Sequence, residues 1–337
     1  MLDQDQRRFF IMILNPIYNI LLLNRILIKT ATHFFPFLIL LLCYNSSLLN
    51  AEPIDTYWQQ RVDYDMEITL YDSIKQVTGT TILKYMNNSP DSLDRIYMHL
   101  YPNAFQVGSV KYREYIGNAG RISRAKYFKE QLHGFTSKID IHDVSVALPD
   151  KGLSWIHKTP ILNQYKIDDT ILEALLTKKI APGQTVRIDL RWTHHVGEMV
   201  ERAGLYEGQY NMAQWYPKMA VYDSDGWHAD VFHAEGEFYG EFGDFRVKFD
   251  IPKAFVIAAS GTVVSGDPGW TDVEVDTSLD YNVWLDIHNA NTEETKEDDR
   301  RTVTFLAENV HDFAWVASKD FLYEGGLSKD QETMIHV

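Results

Sequence analysis

From Val62 to Tyr71 the chain alternates without a break: Val62, Tyr64, Met66, Ile68 and Leu70 against Asp63, Asp65, Glu67, Thr69 and Tyr71. A period of two held over ten residues describes a strand with one face buried. It excludes an amphipathic helix, whose apolar positions recur at three and four. Val186–Trp192 repeats the pattern just after the turn residues Ala181–Gln184. Thr78–Asn87 reads as the hairpin partner of the first strand and is followed by a turn at Asn88–Ser92. Arg95–Tyr101, Phe245–Ile251, Phe255–Ala259, Tyr281–Ile287 and Thr302–Leu306 read as further strands. The expected fold is therefore mainly β, an antiparallel saddle-like or sandwich-like domain over residues 52–310.

Three stretches depart from that rule. Lys111–Gly134 is basic and polar, and reads as a loop excursion carrying one helix. Asn289–Arg301 reads as an acidic loop. In His311–Lys319, Phe313 and Val316 lie three apart, which suggests helix. Residues 311–337 read as the start of a linker, so the chain is expected to continue past Val337.

Residues 1–51 form an apolar leader. Phe34–Leu42 has the length of a signal-peptide core, follows Arg25 and Lys29, and precedes a small residue at Ala51 where cleavage could occur. An earlier apolar stretch, Phe9–Ile28, is interrupted by Asn15, Pro16, Asn19, Asn24 and Arg25, which weakens it as a spanning helix; a true start downstream of Met1, with Met12 one option, and a retained membrane anchor stand as alternatives. All these readings export the body, to the periplasm or the exterior, with membrane attachment through the leader in the last. Cys43 is the one cysteine and lies in the leader, so the body has no disulfide framework and no cysteine-based zinc site. The net charge is −15 and the leader carries +2, which leaves the body at −17. Such a surface repels phosphate backbones, and nucleic acid is excluded as a partner.

The densest chemistry lies in Gly208–Phe245. Its 38 residues hold ten aromatics, seven carboxylates and one lysine. No complete catalytic motif is found there or elsewhere. There is no His-Glu-x-x-His; in the nearest string, His194, His195 and Glu198, the acid falls outside the pair and the histidines end a strand. His228, His233, Glu235 and Glu237 could bind a divalent metal if extended, or could be solvated turn residues around Gly226, Gly236 and Gly240. Paired acids among aromatics also suit a sugar cleft. Ala259–Gly261 lacks the Gly-x-Ser-x-Gly pattern, and there is no glycine-rich phosphate loop. No catalytic residue and no metal ligand are assigned.

Several long strings, taken in order, resemble the N-terminal domain of secreted bacterial zinc aminopeptidases, the gluzincins related to aminopeptidase N and leukotriene hydrolase. They are Tyr64–Asn88, Ser92–Phe105, Ala213–Asp223, Gly226–His228, Gly236–Tyr239, Glu241–Phe245, Ile251–Gly261 and Asn309–Trp315. The resemblance covers about Tyr57 to Phe321. It implies a β-rich domain of an enzyme that cleaves N-terminal peptide bonds with a zinc-activated water. The family's zinc motif, His-Glu-x-x-His with a downstream glutamate, and its Gly-x-Met-Glu-Asn motif lie C-terminal to this region. Zinc is thus implied for the full-length protein, with ligands outside this chain, and this chain alone is expected to be inactive. The resemblance further implies one polar contact to the peptide substrate's free amine from the segment Ala213–Tyr216. Gln214 is the positional candidate and Tyr216 the alternative; an amide carbonyl can accept from an ammonium. The competing reading is a non-catalytic exported β-sandwich that binds carbohydrate or protein through its aromatic and acidic face.

Overall fold

The computed structural model describes residues 57–118, 136–150, 154–270, 280, 283, 299–321, 325–327 and 334–336. Strand β1 (Arg61–Tyr71) has the burial that its alternation dictates: Val62, Tyr64, Met66, Ile68 and Leu70 are buried and the residues between them are not. It forms a hairpin with β2 (Gln76–Met86), all eleven positions in register. The turn between them is closed by Lys75 in the left-handed conformation.

β3 (Leu93–His99) is followed by a short helical turn, Tyr101–Phe105, and by an α-helix, α1 (Val110–Asn118). Then come β4 (Lys138–Asp150), β5 (Ser154–Pro160), β6 (Leu162–Asp168), β7 (Ile171–Ile180) and β8 (Thr185–His195). Four short strands follow, β9 (Ala203–Tyr206), β10 (Gln209–Met212), β11 (Lys218–Met219) and β12 (Tyr222–Asp223). The rest are β13 (Gly226–Trp227), β14 (Gly243–Pro252), β15 (Val256–Ala259), β16 (Thr262–Gly266), β17 (Arg300–Val310) and β18 (Trp315–Ser318). A separate pair, β19 (Gly325–Leu327) and β20 (Met334–His336), lies at the end.

One sheet of eight strands runs β16-β17-β14-β1-β2-β8-β4-β5. Two sheets of four, β15-β18-β10-β9 and β11-β3-β7-β6, share a single apolar core with it. Met66 and Phe249 come from the large sheet, Tyr210 and Trp315 from one small sheet, Met98 and Leu172 from the other. That is the expected mainly β, sandwich-like domain. Pairing is antiparallel with one exception: β1 and β14 run parallel over six positions, Tyr64–Thr69 against Phe245–Asp250. Close packing fixes some positions outright. A Cβ on Gly79 would lie 2.2 Å from the Trp192 ring, so only glycine lets β2 pass that indole.

The helix expected in His311–Lys319 is not formed. Trp315–Ser318 is a strand that pairs with both β10 and β15. The deciding period is two: Phe313, Trp315 and Ala317 are buried in turn, and this outweighs the three-residue spacing of Phe313 and Val316. The arginines assigned to an acidic loop, Arg300 and Arg301, open β17. In Lys111–Gly134 the helix is α1, and the remainder lies outside the described residues, as do the leader and, but for Val283, the strand expected at Tyr281–Ile287. No helix of the described residues is long and apolar enough to cross a membrane.

Candidate functional site

After β10 the chain leaves the sheet and turns into the core. Gln214 makes the turn with φ of +50°, a left-handed conformation that is costly for a side chain with a Cβ. Beyond it, every residue from Trp215 to Val221 is buried. Such a run cannot be a surface strand, so its polar groups need partners from other elements. The Trp215 indole donates to the Phe313 carbonyl at 2.9 Å, and its ring meets Trp192, Trp315 and Tyr216 edge-on. The Tyr64 hydroxyl accepts from the Met219 backbone at 3.0 Å, and the Tyr97 carbonyl accepts from Ala220.

Asp312 is the hub of this segment. Its Oδ2 accepts from Gln214 Nε2 at 2.6 Å; its Oδ1 accepts from the Tyr216 hydroxyl at 2.8 Å and from the Phe313 backbone at 2.9 Å. Lys218 Nζ is 3.5 Å from the same Oδ1, near enough for charge attraction but without a hydrogen bond. Lys218 is 2% exposed, and burial pulls its ammonium below the ordinary lysine range despite Asp312. Gly240 closes over it: a Cβ there would sit 2.8 Å from Lys218 Cε and Nζ. Burial, then Asp312, pushes the Tyr216 phenol far up, so it stays a neutral donor.

Gln214 and Tyr216, the two residues singled out for substrate contact, differ in access. The Tyr216 side chain is enclosed and its hydroxyl is spent on Asp312. Gln214 is half-buried and lines a small cavity of about 20 Å³ together with Ser137, Glu201, Arg202 and the rings of Tyr101 and Phe238. Its Nε2 is anchored, and its Oε1 has no hydrogen-bond partner among the described residues. Glu201 is held by Lys111 at 2.7 Å, whose ammonium lies 4.0 Å from the Phe232 ring centre.

Tyr101, Phe232 and Phe238 pack edge-on or tilted at 4.8–5.4 Å and divide this cavity from a larger one of about 230 Å³. The second cavity carries His99, His228, Asp230, His233, Glu235 and Glu237. These do not converge as a metal site. His228 is held by Asp223 at 2.7 Å and His233 by Glu114 of α1 at 2.6 Å, while the Glu237 side chain is 85% exposed and its nearest cation is Arg202 at 3.8 Å. Burial brings His99 down to about 4, and its ring lies flat on Tyr101 at 4.7 Å, a neutral packing role. His194 and His195 point to opposite faces of β8: His194 is buried against Ser137 at 2.9 Å, and His195 meets Asp140 at 2.8 Å. Among the described residues no three His, Cys, Asp or Glu side chains are grouped to hold a metal ion.

Glu241 is a different kind of acid. It is 4% exposed, it accepts a long contact from the Tyr222 backbone at 3.4 Å, and burial pushes its carboxyl up to about 7. The residues that sequence reasoning missed are thus Asp312, Lys218 and Glu241. A lone lysine and a glutamate inside a run of aromatics were the available signals, since such groups are enclosed only when paired or neutral. A wider open groove of about 720 Å³ lies elsewhere, between α1 and β4; of its acids, Asp140 is held by Lys138 and His195, and Asp169 accepts from the Val110 backbone through Oδ2 while its Oδ1 is buried without a hydrogen bond.

No family model matches the chain, and no curated protein matches it. Solved structures do. The chain is similar to a variant of the M1 zinc metallopeptidase from Deinococcus radiodurans, with TM-score 0.41 and 11% identity, covering 82% of this chain and 46% of that one. A second structure of that variant, bound to a Tyr-Ser-Ala substrate, matches equally. A two-domain M1 zinc metallopeptidase variant bound to L-tryptophan has TM-score 0.40 and 12% identity, over 83% of this chain and 48% of that one. The chain spans about half the length of the structures it matches.

Proposed function

We propose that residues 58–321 form the N-terminal wall of the substrate cleft of an exported zinc metallo-aminopeptidase. Zinc, its ligands and the general base are supplied by segments other than the residues described. The observation that carries this reading is the state of Gln214. It sits where the resemblance places the contact to the substrate amine. It is held in a left-handed turn, with its amide nitrogen bound and its carbonyl oxygen unspent beside a cavity. Strained backbone with a rigidly held polar side chain is typical of ligand-contacting positions. In this reading the wall binds and orients the peptide N-terminus, and Tyr216 serves it indirectly through Asp312. Export rests on the leader, with Phe34–Leu42 as the signal core and membrane retention as the alternative.

The direct test is the reading frame past Val337. An in-frame His-Glu-x-x-His within a few hundred bases is expected, and the longer protein should release aniline from aminoacyl-anilides in a chelator-sensitive way. A stop codon with no such motif overturns the reading in favour of a binding module.

A further inference from the structure

Resting on that reading, we propose that Asp312 is a positioning residue that sets the orientation of the Gln214 amide, so that the wall presents an acceptor to a primary ammonium. The two ends of a glutamine amide have nearly the same shape, and hydrogen bonding alone decides which faces which way. Asp312 Oδ2 lies 2.6 Å from the Gln214 amide. An ionised carboxylate only accepts, so the group at that distance is the NH₂ and the carbonyl is left facing away. A flipped amide would set two acceptors against each other at that separation.

Asp312 cannot turn to relieve such a clash. Its other oxygen is fixed by the Tyr216 hydroxyl and the Phe313 backbone, and the buried Lys218 ammonium lies 3.5 Å from that same oxygen. The backbone on both sides is tied as well, since the Trp215 indole bonds the Phe313 carbonyl. Gln214 and Asp312 therefore stand in a fixed relation although 98 residues separate them. The charges beside the cavity are largely committed: Glu201 to Lys111, and Arg202 toward Glu237 and the face of Phe238. That leaves the Gln214 carbonyl as the uncommitted acceptor, suited to the donor-only ammonium of an amino acid or peptide.

The test compares the wild-type chain with D312N, Q214A and the charge-balanced double variant D312N/K218M, which guards against loss of folding from an unpaired lysine. The probes are L-leucinamide and N-acetyl-L-leucinamide. Wild type is expected to favour the free amine about tenfold, the size of one hydrogen bond to a charged group. All three variants are expected to lose that preference, and D312N with Q214A should lose no more than either alone. Independently, the Gln214 side-chain amide resonance, assigned by its absence in Q214A, should shift toward the free-amide position in D312N. If D312N and the double variant keep the preference while Q214A loses it, the positioning role is wrong and the proposed function stands. If wild type shows no preference but the amide resonance still moves, the anchor stands and the amine-binding reading fails. An amide resonance unmoved by D312N overturns the anchor itself.

Discussion

In β1 every second side chain from Val62 to Leu70 is buried, and each residue has a register partner on β2. From Trp215 to Val221 seven consecutive residues are buried, and two of them, Lys218 and Met219, pair in a strand ladder. The first segment meets its hydrogen-bonding needs through its own geometry. The second meets them through groups distant in sequence: the Tyr64 hydroxyl for Met219, the Asp312 carboxylate for Gln214 and Tyr216, the Phe313 backbone carbonyl for Trp215. Regular pairing tolerates local change because the ladder survives it. The threaded segment depends on a few polar contacts, and the same contacts hold its one strained residue in place.

Breaking those contacts should therefore cost more than trimming the sheet. Trp215→Ala is expected to lower stability by about 3–5 kcal/mol, since it opens a large cavity and orphans the Phe313 carbonyl. Denaturant midpoints would check this. Asp312→Ala should cost a similar amount, roughly 3–5 kcal/mol, because it strands the buried Lys218 charge. Lys218→Met, which removes that charge and keeps the bulk, should be neutral or stabilising. A destabilisation by Lys218→Met as large as that of Asp312→Ala would mean the ammonium makes a bond not seen here.

The next effect depends on pH. The Glu241 carboxyl is raised to about 7, so the folded state holds its proton more tightly than the unfolded chain does. Stability should fall as pH rises from about 4.5 through about 7, and Glu241→Gln should add about 1–3 kcal/mol at pH 8 and flatten that slope. Asp72 has the opposite sign. It accepts from Lys75, Lys319 and Tyr210, which hold it at about 2 against its burial. Its contribution is present above about pH 4 and is lost as pH falls through about 2. Asp72→Asn should cost about 1 kcal/mol at neutral pH after solvent screening, and little at pH 2. On the sheet side, Ile68→Val should cost only about 0.5–1.5 kcal/mol.

The difference between the regions also explains what the sequence reveals. Alternation marks β1, β2, β8 and β14, because one face of each is buried and the other is not. It names no strand between Tyr101 and Val186, where four strands lie. There β6 is exposed along most of its length and β7 opens with four buried residues in a row, so neither shows a period of two. The parallel pairing of β1 with β14 joins segments far apart in sequence, which no local pattern records. Gln214 was named as a candidate through its surrounding string. Its anchor was not, since Asp312 sits 98 residues away and its neighbours suggested helix.

The most direct test of the account is steady-state kinetics of the protein encoded by the frame continued past Val337, with Gln214→Ala against wild type on an aminoacyl-anilide. A wall that binds the substrate amine equally in ground and transition states predicts KM raised about tenfold with kcat within about twofold. An unchanged KM would show that Gln214 does not touch substrate and would contradict the proposed role of this segment.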